Sequence, residues 1–175
     1  MNRRRFLSTL ATAAPLLALP GTAASSVPDF RALRFQHLHT GERLEIEYVS
    51  RGHYVPDALA SINHLLRDFR TQDVHAIDPL LLDLLHALSI ATGTQHPFEV
   101  ISGYRSPATN QHLRDRSSGV ASGSLHMVGK AIDIRVRDVR LSALRDAARA
   151  LGRGGVGYYP GPDFVHVDTG RVRTW

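Results

Sequence analysis

The sequence contains no cysteine and, beyond its first 24 residues, no long hydrophobic run. Without cysteine, the chain can form neither a disulfide framework nor a thiol-linked lipid anchor. The mostly apolar run from Leu10 to Leu19 is too short for an ordinary transmembrane helix, and no other stretch could span a bilayer. These absences predict a soluble mature protein without a disulfide scaffold, a lipid anchor or a membrane span.

A strong surplus of one charge is also missing, although the formal net charge is +5. Residues 1–24 contain three arginines and no acidic residue, so the rest of the chain carries 18 basic against 16 acidic side chains. Because this balance gives no strongly basic surface, we expect no nucleic-acid partner. The 175 residues and 43% hydrophobic content are typical of one globular domain.

The first 24 residues have the pattern of an export signal. Arg3-Arg4-Arg5-Phe6-Leu7 resembles the twin-arginine consensus, and the apolar run and the small residues Thr22-Ala23-Ala24 follow it. We therefore predict a signal peptide over residues 1–24, with the twin-arginine translocase as a partner. The mature chain, residues 25–175, would then be a single domain in the periplasm.

Hydrophobic periodicity predicts a mixture of strands and helices in the mature chain. Alternating apolar residues predict a hairpin across residues 39–42 and further strands over residues 98–101, 131–136, 156–159 and 164–167. Helical spacing and capping residues predict helices that span residues 56–69, 79–92, 107–116 and 141–151. This order of elements favours the α+β class.

Two histidines and an aspartate have the residue types of a zinc hydrolase site. Asp133 follows His126 by seven residues, and His166 lies in the last predicted long strand. Strand alternation places Asp133 on the face opposite Ile132 and Ile134. If the two strands are neighbours, the three side chains can converge and leave a fourth zinc position open. The spacing alone also allows a solvent-facing histidine without any ligand role.

Several motifs follow one another in a specific order: Ile101-Ser102-Gly103-Tyr104-Arg105-Ser106-Pro107, Ser124-x-His126-Met127-x-Gly129-x-Ala131-x-Asp133, Gly155-Val156-Gly157-Tyr158-Tyr159-Pro160, and Phe164-Val165-His166-Val167-Asp168-Thr169-Gly170, closing at Arg173 and Trp175. Over residues 30–175 the chain resembles the murein endopeptidase K family, LAS-group zinc peptidases related to D-Ala-D-Ala carboxypeptidases. The resemblance implies a peptidoglycan hydrolase that cuts cross-links between stem peptides. It also implies a Hedgehog/D-Ala-D-Ala peptidase-like fold, with a small central antiparallel sheet and flanking helices.

The resemblance also assigns site residues by position. It implies that His126, Asp133 and His166 bind Zn²⁺. Arg105 matches the family's SGYR arginine, and a guanidinium beside zinc suits a substrate carboxylate or a developing oxyanion. Ser124, two residues before His126, could donate a hydrogen bond to a ligand or to substrate.

The general base is where this sequence departs from related enzymes. They commonly carry a glutamate three residues before the last ligand or a histidine two before it, where this chain has Asp163 and Phe164. We predict Asp163 as the base, because it alone matches the E-x-x-H register. Asp163 is also a residue expected in a proline-glycine turn, and Asp168 is the competing candidate or an orienting group for an imidazole.

Three functions are compatible with these residues. The first is a zinc-dependent murein endopeptidase, a monomer that acts on peptidoglycan stem peptides. The second is a non-catalytic cell-wall-binding module with a degenerate metal site, and the third is a D-alanyl carboxypeptidase. The sequence leaves open which cross-link is cut, 3-3 between diaminopimelates or 4-3 through D-alanine.

Overall fold

The computed structural model describes residues 30–116 and 121–175. The predicted signal peptide and residues 117–120 lie outside the described residues. Eight strands form one sheet: β1 (Arg31–His37), β2 (Arg43–Ser50), β3 (His53–Tyr54), β4 (Phe98–Ser102), β5 (Ala131–Val136), β6 (Gly155–Tyr159), β7 (Phe164–Asp168) and β8 (Arg173–Thr174). The helices are α1 (Pro56–Leu65), α2 (Pro79–Thr92), α3 (Pro107–Arg116), α4 (Leu141–Leu151) and a 3-10 helix (Leu125–Val128).

The sheet is mixed, with the strand order β3-β2-β1-β4-β5-β7-β6-β8. β1 pairs with β4 in parallel, and β6 pairs with β8 in parallel. The other neighbours are antiparallel. The mixture of helices and strands is confirmed, and the expectation of a small antiparallel sheet is met only in part, because the sheet has eight strands and two of its pairings are parallel. A long connection through α1 and α2 can return the chain for a parallel pairing, which strand periodicity does not reveal.

The helix α2 begins and ends where its capping residues predict. The side chain of Asp78 accepts a hydrogen bond from the backbone N–H of Leu80, and Pro79 occupies the first helical position. Gly93 ends the helix with φ of +67°, a conformation that favours glycine. No helix in the described ranges is long and apolar enough to cross a membrane.

The helix α1 is shorter than its apolar spacing predicts, because it ends at Leu65 rather than near Phe69. The chain turns at Asp68, whose backbone N–H donates to Asp73 and whose carboxylate accepts from the backbone N–H of Arg70. Asp68 also accepts two hydrogen bonds from Ser106, each 2.8 Å long. This turn therefore anchors the segment that carries Arg105.

One face of the sheet forms the hydrophobic core. Ile132 and Ile134 of β5 are fully buried with Val165 of β7, in one cluster with leucines of α1, α2 and α4. Because side chains alternate between the two faces of a strand, Asp133 and His166 point to the opposite face. The core therefore determines which side of the sheet carries these polar residues.

Candidate metal centre

The structure brings His126, Asp133 and His166 together on the open face of the sheet. Asp133 and His166 are direct partners in the antiparallel pairing of β5 with β7. His126 comes from the 3-10 helix, which Ser124 caps and which Gly129 ends with φ of +66°. Two strands and one short helix thus deliver the three side chains to one place.

The ligand atoms of these residues form a nearly regular triangle. Nε2 of His126 lies 3.2 Å from Nδ1 of His166 and 3.2 Å from Oδ1 of Asp133. The third edge, from His166 Nδ1 to Asp133 Oδ1, is 2.9 Å. Tetrahedral zinc with bonds of about 2.0–2.1 Å holds its ligand atoms about 3.3 Å apart. The triangle therefore has close to the size that a single zinc ion requires.

Both imidazoles are oriented through their other ring nitrogen. Nδ1 of His126 lies 2.7 Å from the carbonyl oxygen of Gly103, so it donates there and leaves Nε2 as an electron-pair donor. Nε2 of His166 lies 3.1 Å from Oδ2 of Asp168 and leaves Nδ1 for a metal. Such outer acceptors are the usual partners of metal-binding histidines.

Asp168 is fully buried and has no carboxylate oxygen free. Oδ1 accepts hydrogen bonds from the backbone N–H groups of Gly155 and Gly170, at 2.9 and 2.8 Å. Oδ2 contacts His166, and the Arg173 guanidinium donates to both oxygens. These hydrogen bonds outweigh burial and lower the pKa of Asp168. Asp168 therefore has the contacts of an orienting carboxylate rather than those of a general base.

Arg105 lies beside the triangle, in the loop that follows β4 and three residues after Ser102, the last residue of that strand. Its guanidinium pairs with Oδ2 of Asp133, and its Nε donates to Ser102 at 2.8 Å. Its backbone N–H donates to the carbonyl of His126 at 3.2 Å, which ties the two segments together. Arg105 lines the same cavity as the three candidate ligands. Arg105 therefore lies beside the three candidate ligands, and its role stays a prediction.

The other two predicted residues have different surroundings. Ser124 lines the cavity, but its hydroxyl accepts from the backbone N–H of His126 at 3.4 Å and so caps the 3-10 helix. Asp163 is outside the cavity lining: its carboxylate pairs with Arg135 at 2.8 Å and is 57% exposed. Its φ of +60° marks a tight turn, a conformation that aspartate tolerates. The structure does not bring Asp163 to the triangle, which argues against its predicted role as base.

Burial and mutual contacts shift the pKa values of the three residues of the triangle. Burial lowers the pKa of His126 despite the nearby Asp133. Burial opposes ionisation of Asp133, but contacts with His126, His166 and Arg105 outweigh it and lower the carboxyl pKa. Burial would lower the pKa of His166, but hydrogen bonds to Asp133 and Asp168 outweigh it and raise that pKa. A metal ion bound at this site would compete with a proton for His166, so we expect its binding to weaken as pH falls.

The triangle lies in a cavity of about 550 Å³ that is lined by two cationic side chains and by an aromatic wall. Arg105 and Arg173 contribute the cationic groups, and Tyr159, Phe164 and Trp175 contribute the aromatic rings. Sequence reasoning assigned no role to Arg173, Tyr159 or Trp175, or to the Gly103 carbonyl. All four residues belong to the motifs quoted above, which are the available signal, but only the folded chain shows that they reach the site.

Comparisons with known proteins identify the family. The sequence model of the family described as peptidoglycan L,D-endopeptidase MepK matches residues 25–175. The Escherichia coli K12 protein of that name is 44% identical over 176 residues, covering 99% of this chain and 97% of that protein. The probable peptidoglycan L,D-endopeptidase MepK of Haemophilus influenzae is 42% identical over 177 residues, covering 99% and 95%. The chain therefore belongs to the MepK family of peptidoglycan L,D-endopeptidases, which confirms the resemblance seen in its motifs.

Proposed function

We propose that this protein is a zinc-dependent endopeptidase that hydrolyses peptide cross-links of peptidoglycan. Its relatives named peptidoglycan L,D-endopeptidase align with it over nearly their whole length. The observation that carries the proposal is the triangle of His126, Asp133 and His166 atoms, with edges of 2.9 to 3.2 Å. Two imidazole nitrogens and one carboxylate oxygen suit zinc, and three protein ligands are the usual number at a catalytic site.

The chain's own residues hold the site in one geometry. Zn²⁺ bound there supplies Lewis-acid polarisation of the scissile carbonyl and makes water more acidic. The Gly103 carbonyl and the Asp168 carboxylate keep the two imidazoles oriented, and Arg105 holds the outer oxygen of Asp133. Because these partners are fixed before substrate arrives, little reorganisation accompanies the reaction.

Arg105 has a second role in the proposal. Its cationic guanidinium lines the cavity beside the three candidate ligands. A substrate carboxylate or the oxyanion that develops during amide hydrolysis suits such a group, through charge and paired hydrogen bonds. Ser124 lines the same cavity. Its hydroxyl hydrogen can be donated to substrate while its oxygen caps the 3-10 helix.

The names of the relatives support the L,D type of cross-link as the substrate. Peptidoglycan lies outside the cytoplasm, so the enzyme acts there, after export by the twin-arginine route that residues 1–24 suggest. A mature domain over residues 25–175 belongs to the same proposal. A monomer suffices, because all three candidate ligands come from one chain.

The decisive experiment offers zinc-loaded protein separately to muropeptide dimers joined by 3-3 and by 4-3 cross-links, with product masses as the readout. We expect hydrolysis of the 3-3 dimers to single-stem products and little hydrolysis of the 4-3 dimers. Intact dimers of both types would favour the non-catalytic binding module. Release of terminal D-alanine alone would favour the carboxypeptidase.

A variant tests the ligand assignment in the same assay. His166→Ala should lose bound zinc, as measured by elemental analysis, and at least about 100-fold in turnover. His53→Ala is the matched control, because His53 is exposed on the short strand β3. Full zinc occupancy in His166→Ala would contradict the assignment.

A further inference from the structure

The aromatic wall of the cavity lies directly beside the candidate ligand His166. Tyr159 and Phe164 stack with ring centroids 4.6 Å apart, and Nε1 of Trp175 donates to the Tyr159 hydroxyl at 2.6 Å. The Trp175 ring lies 5.3 Å from the His166 ring, yet the residue is 50% exposed. A large apolar ring facing solvent beside a reactive centre is typical of a binding surface.

The Trp175 ring is held in place before any ligand arrives. The Arg173 guanidinium, fixed by its two hydrogen bonds to Asp168, lies 4.8 Å from the centre of the Trp175 ring. Gly157, the partner of His166 in the pairing of β6 with β7, provides the space: a Cβ there would lie 2.8 Å from the ring. A preoriented side chain loses little entropy on binding, which favours affinity.

The aromatic wall and Arg105 together describe the ligand group that fits. The aromatic wall suits a chain of methylene groups, and Arg105, which lines the same cavity, suits a carboxylate. In a 3-3 cross-link the residue on the carbonyl side of the scissile bond is diaminopimelate, which carries both a run of methylenes and a carboxylate. In a 4-3 cross-link that residue is D-alanine, which offers only a methyl group, and the glycan lies at the far end of the stem peptide.

We propose that Trp175 is a specificity-determining residue whose ring, supported by Tyr159, binds the methylene chain of the diaminopimelate on the carbonyl side of the scissile bond. The proposal rests on the proposed function and names the part of the substrate that the aromatic wall selects. It differs from a purely structural role for Trp175, which would affect folding or zinc binding rather than the choice of substrate.

A binding experiment tests the contact without any turnover. Trp175 is the only tryptophan of the chain, so intrinsic fluorescence reports on this ring alone. We expect a saturable change with the stem tripeptide that ends in diaminopimelate. The same tripeptide with alanine in that position, and the disaccharide of the glycan, should bind at least about tenfold more weakly. No response to the diaminopimelate peptide, or an equal response to the disaccharide, would overturn the proposal.

Kinetics on 3-3 cross-linked dimers supply the second test. Trp175→Ala should raise KM about tenfold at unchanged zinc content, with kcat much less affected, and Trp175→Phe should recover most of the loss. Gly157→Ala keeps the indole but displaces it, and should raise KM in the same direction. Ile90→Ala, which removes an exposed side chain of α2, is the control and should leave KM unchanged.

The outcomes separate this proposal from the proposed function. An unchanged KM in both Trp175→Ala and Gly157→Ala, in a protein that cleaves the dimers, would overturn the role of Trp175 alone. A wild-type protein that leaves all dimers intact would refute the endopeptidase function, and the fluorescence titration would still decide whether the ring binds diaminopimelate.

Discussion

At the residue scale, the two aspartates near His166 differ in their surroundings rather than in their chemistry. Asp168 is buried, and its oxygens are occupied by His166, Arg173 and two backbone N–H groups. Asp163 is exposed and contacts Arg135 instead. Since a general base needs a free oxygen within reach of the proton it removes, neither aspartate is placed as one here. The described cavity lining contains no carboxylate other than Asp133.

Asp168→Asn should weaken zinc binding about 10- to 100-fold, because neutralising the outer partner of a histidine ligand reduces the basicity of the imidazole. Competition with a chromophoric chelator measures the affinity. Asp163→Asn makes the same chemical change outside the cavity and should leave the affinity unchanged. Equal zinc affinities in the two variants would show that Asp168 does not support the metal.

Asp163→Asn should keep turnover within about threefold of wild type, because the carboxylate pairs with Arg135 and does not line the cavity. The measurement is kcat on cross-linked muropeptide dimers at full zinc occupancy. Loss of a general base typically costs about 10²- to 10⁴-fold. A loss of that size would place Asp163 in the reaction after all, as its register before His166 predicted.

His37 should make the fold less stable in acid. It is fully buried on β1, and burial, with His39 and Arg67 nearby, lowers its pKa to about 4 from an ordinary value of 6.5. Between these two values the unfolded chain binds a proton that the folded chain does not. Stability therefore falls as pH drops from 6.5 to 4, by up to about 3 kcal/mol, and His37 adds no further loss below that.

Urea unfolding of metal-free wild type and His37→Gln at pH 7.5 and pH 4.5 measures this effect. The variant should lose less stability between the two pH values, because its residue 37 does not titrate. The other histidines are common to both proteins, so the difference between them isolates His37. An identical pH dependence in the two proteins would exclude this role.

At the scale of elements, the start of α2 joins three separate segments of the chain. The Asp78 carboxylate accepts from the Leu80 N–H at 3.0 Å and from the Thr169 hydroxyl at 2.9 Å. The Asp78 N–H donates to the carbonyl of Gly129 at 2.9 Å. One residue therefore links the helix cap to the end of the 3-10 helix that carries His126 and to the turn after β7.

Asp78→Ala should lower the free energy of unfolding by about 1–2 kcal/mol, since it removes both the helix cap and the hydrogen bond to Thr169. Urea denaturation of the metal-free protein gives the value. Asp78→Asn can still cap the helix and should lose less. If Asp78→Ala and Asp78→Asn lower the free energy of unfolding equally, the charge of Asp78 matters rather than its capping hydrogen bond.

At the scale of the whole molecule, the candidate ligands come from three elements that only the folded chain brings together. His126 lies on the 3-10 helix, Asp133 on β5 and His166 on β7. A metal that binds only the folded state stabilises it by about 2.7 kcal/mol when the free metal is 100 times its Kd. If zinc binds as proposed, it should therefore also stabilise the fold.

Chelation should accordingly lower the melting temperature of the wild-type protein, and added Zn²⁺ should restore it. Calorimetry or circular dichroism records the transition. His166→Ala is the control, because a site that has lost a ligand should show little change on chelation. A melting temperature that does not depend on zinc in the wild type would argue against a metal shared by these elements.

Some features of this molecule follow from local sequence. The cap at Asp78 with Pro79 and Gly93 determines α2, because capping and backbone conformation act over a few residues. Alternation in Ile132, Asp133 and Ile134 determines which side chains of β5 face the core, because strand geometry has a period of two. The motif order was enough to predict the family, which the comparisons confirm.

Other features were decided only by the tertiary structure, because they depend on residues far apart in the chain. Long-range contacts that no local pattern contains decide three such features: the parallel pairing of β1 with β4, the short strand β8 and the early end of α1. The turn that directs Asp163 toward Arg135 is a further example, because the position of Asp163 three residues before His166 does not reveal it. The sequence by itself determined the residue types of the candidate metal site. The 2.9 Å separation of His166 Nδ1 from Asp133 Oδ1 was decided by the register of β5 against β7, which only the folded chain fixes.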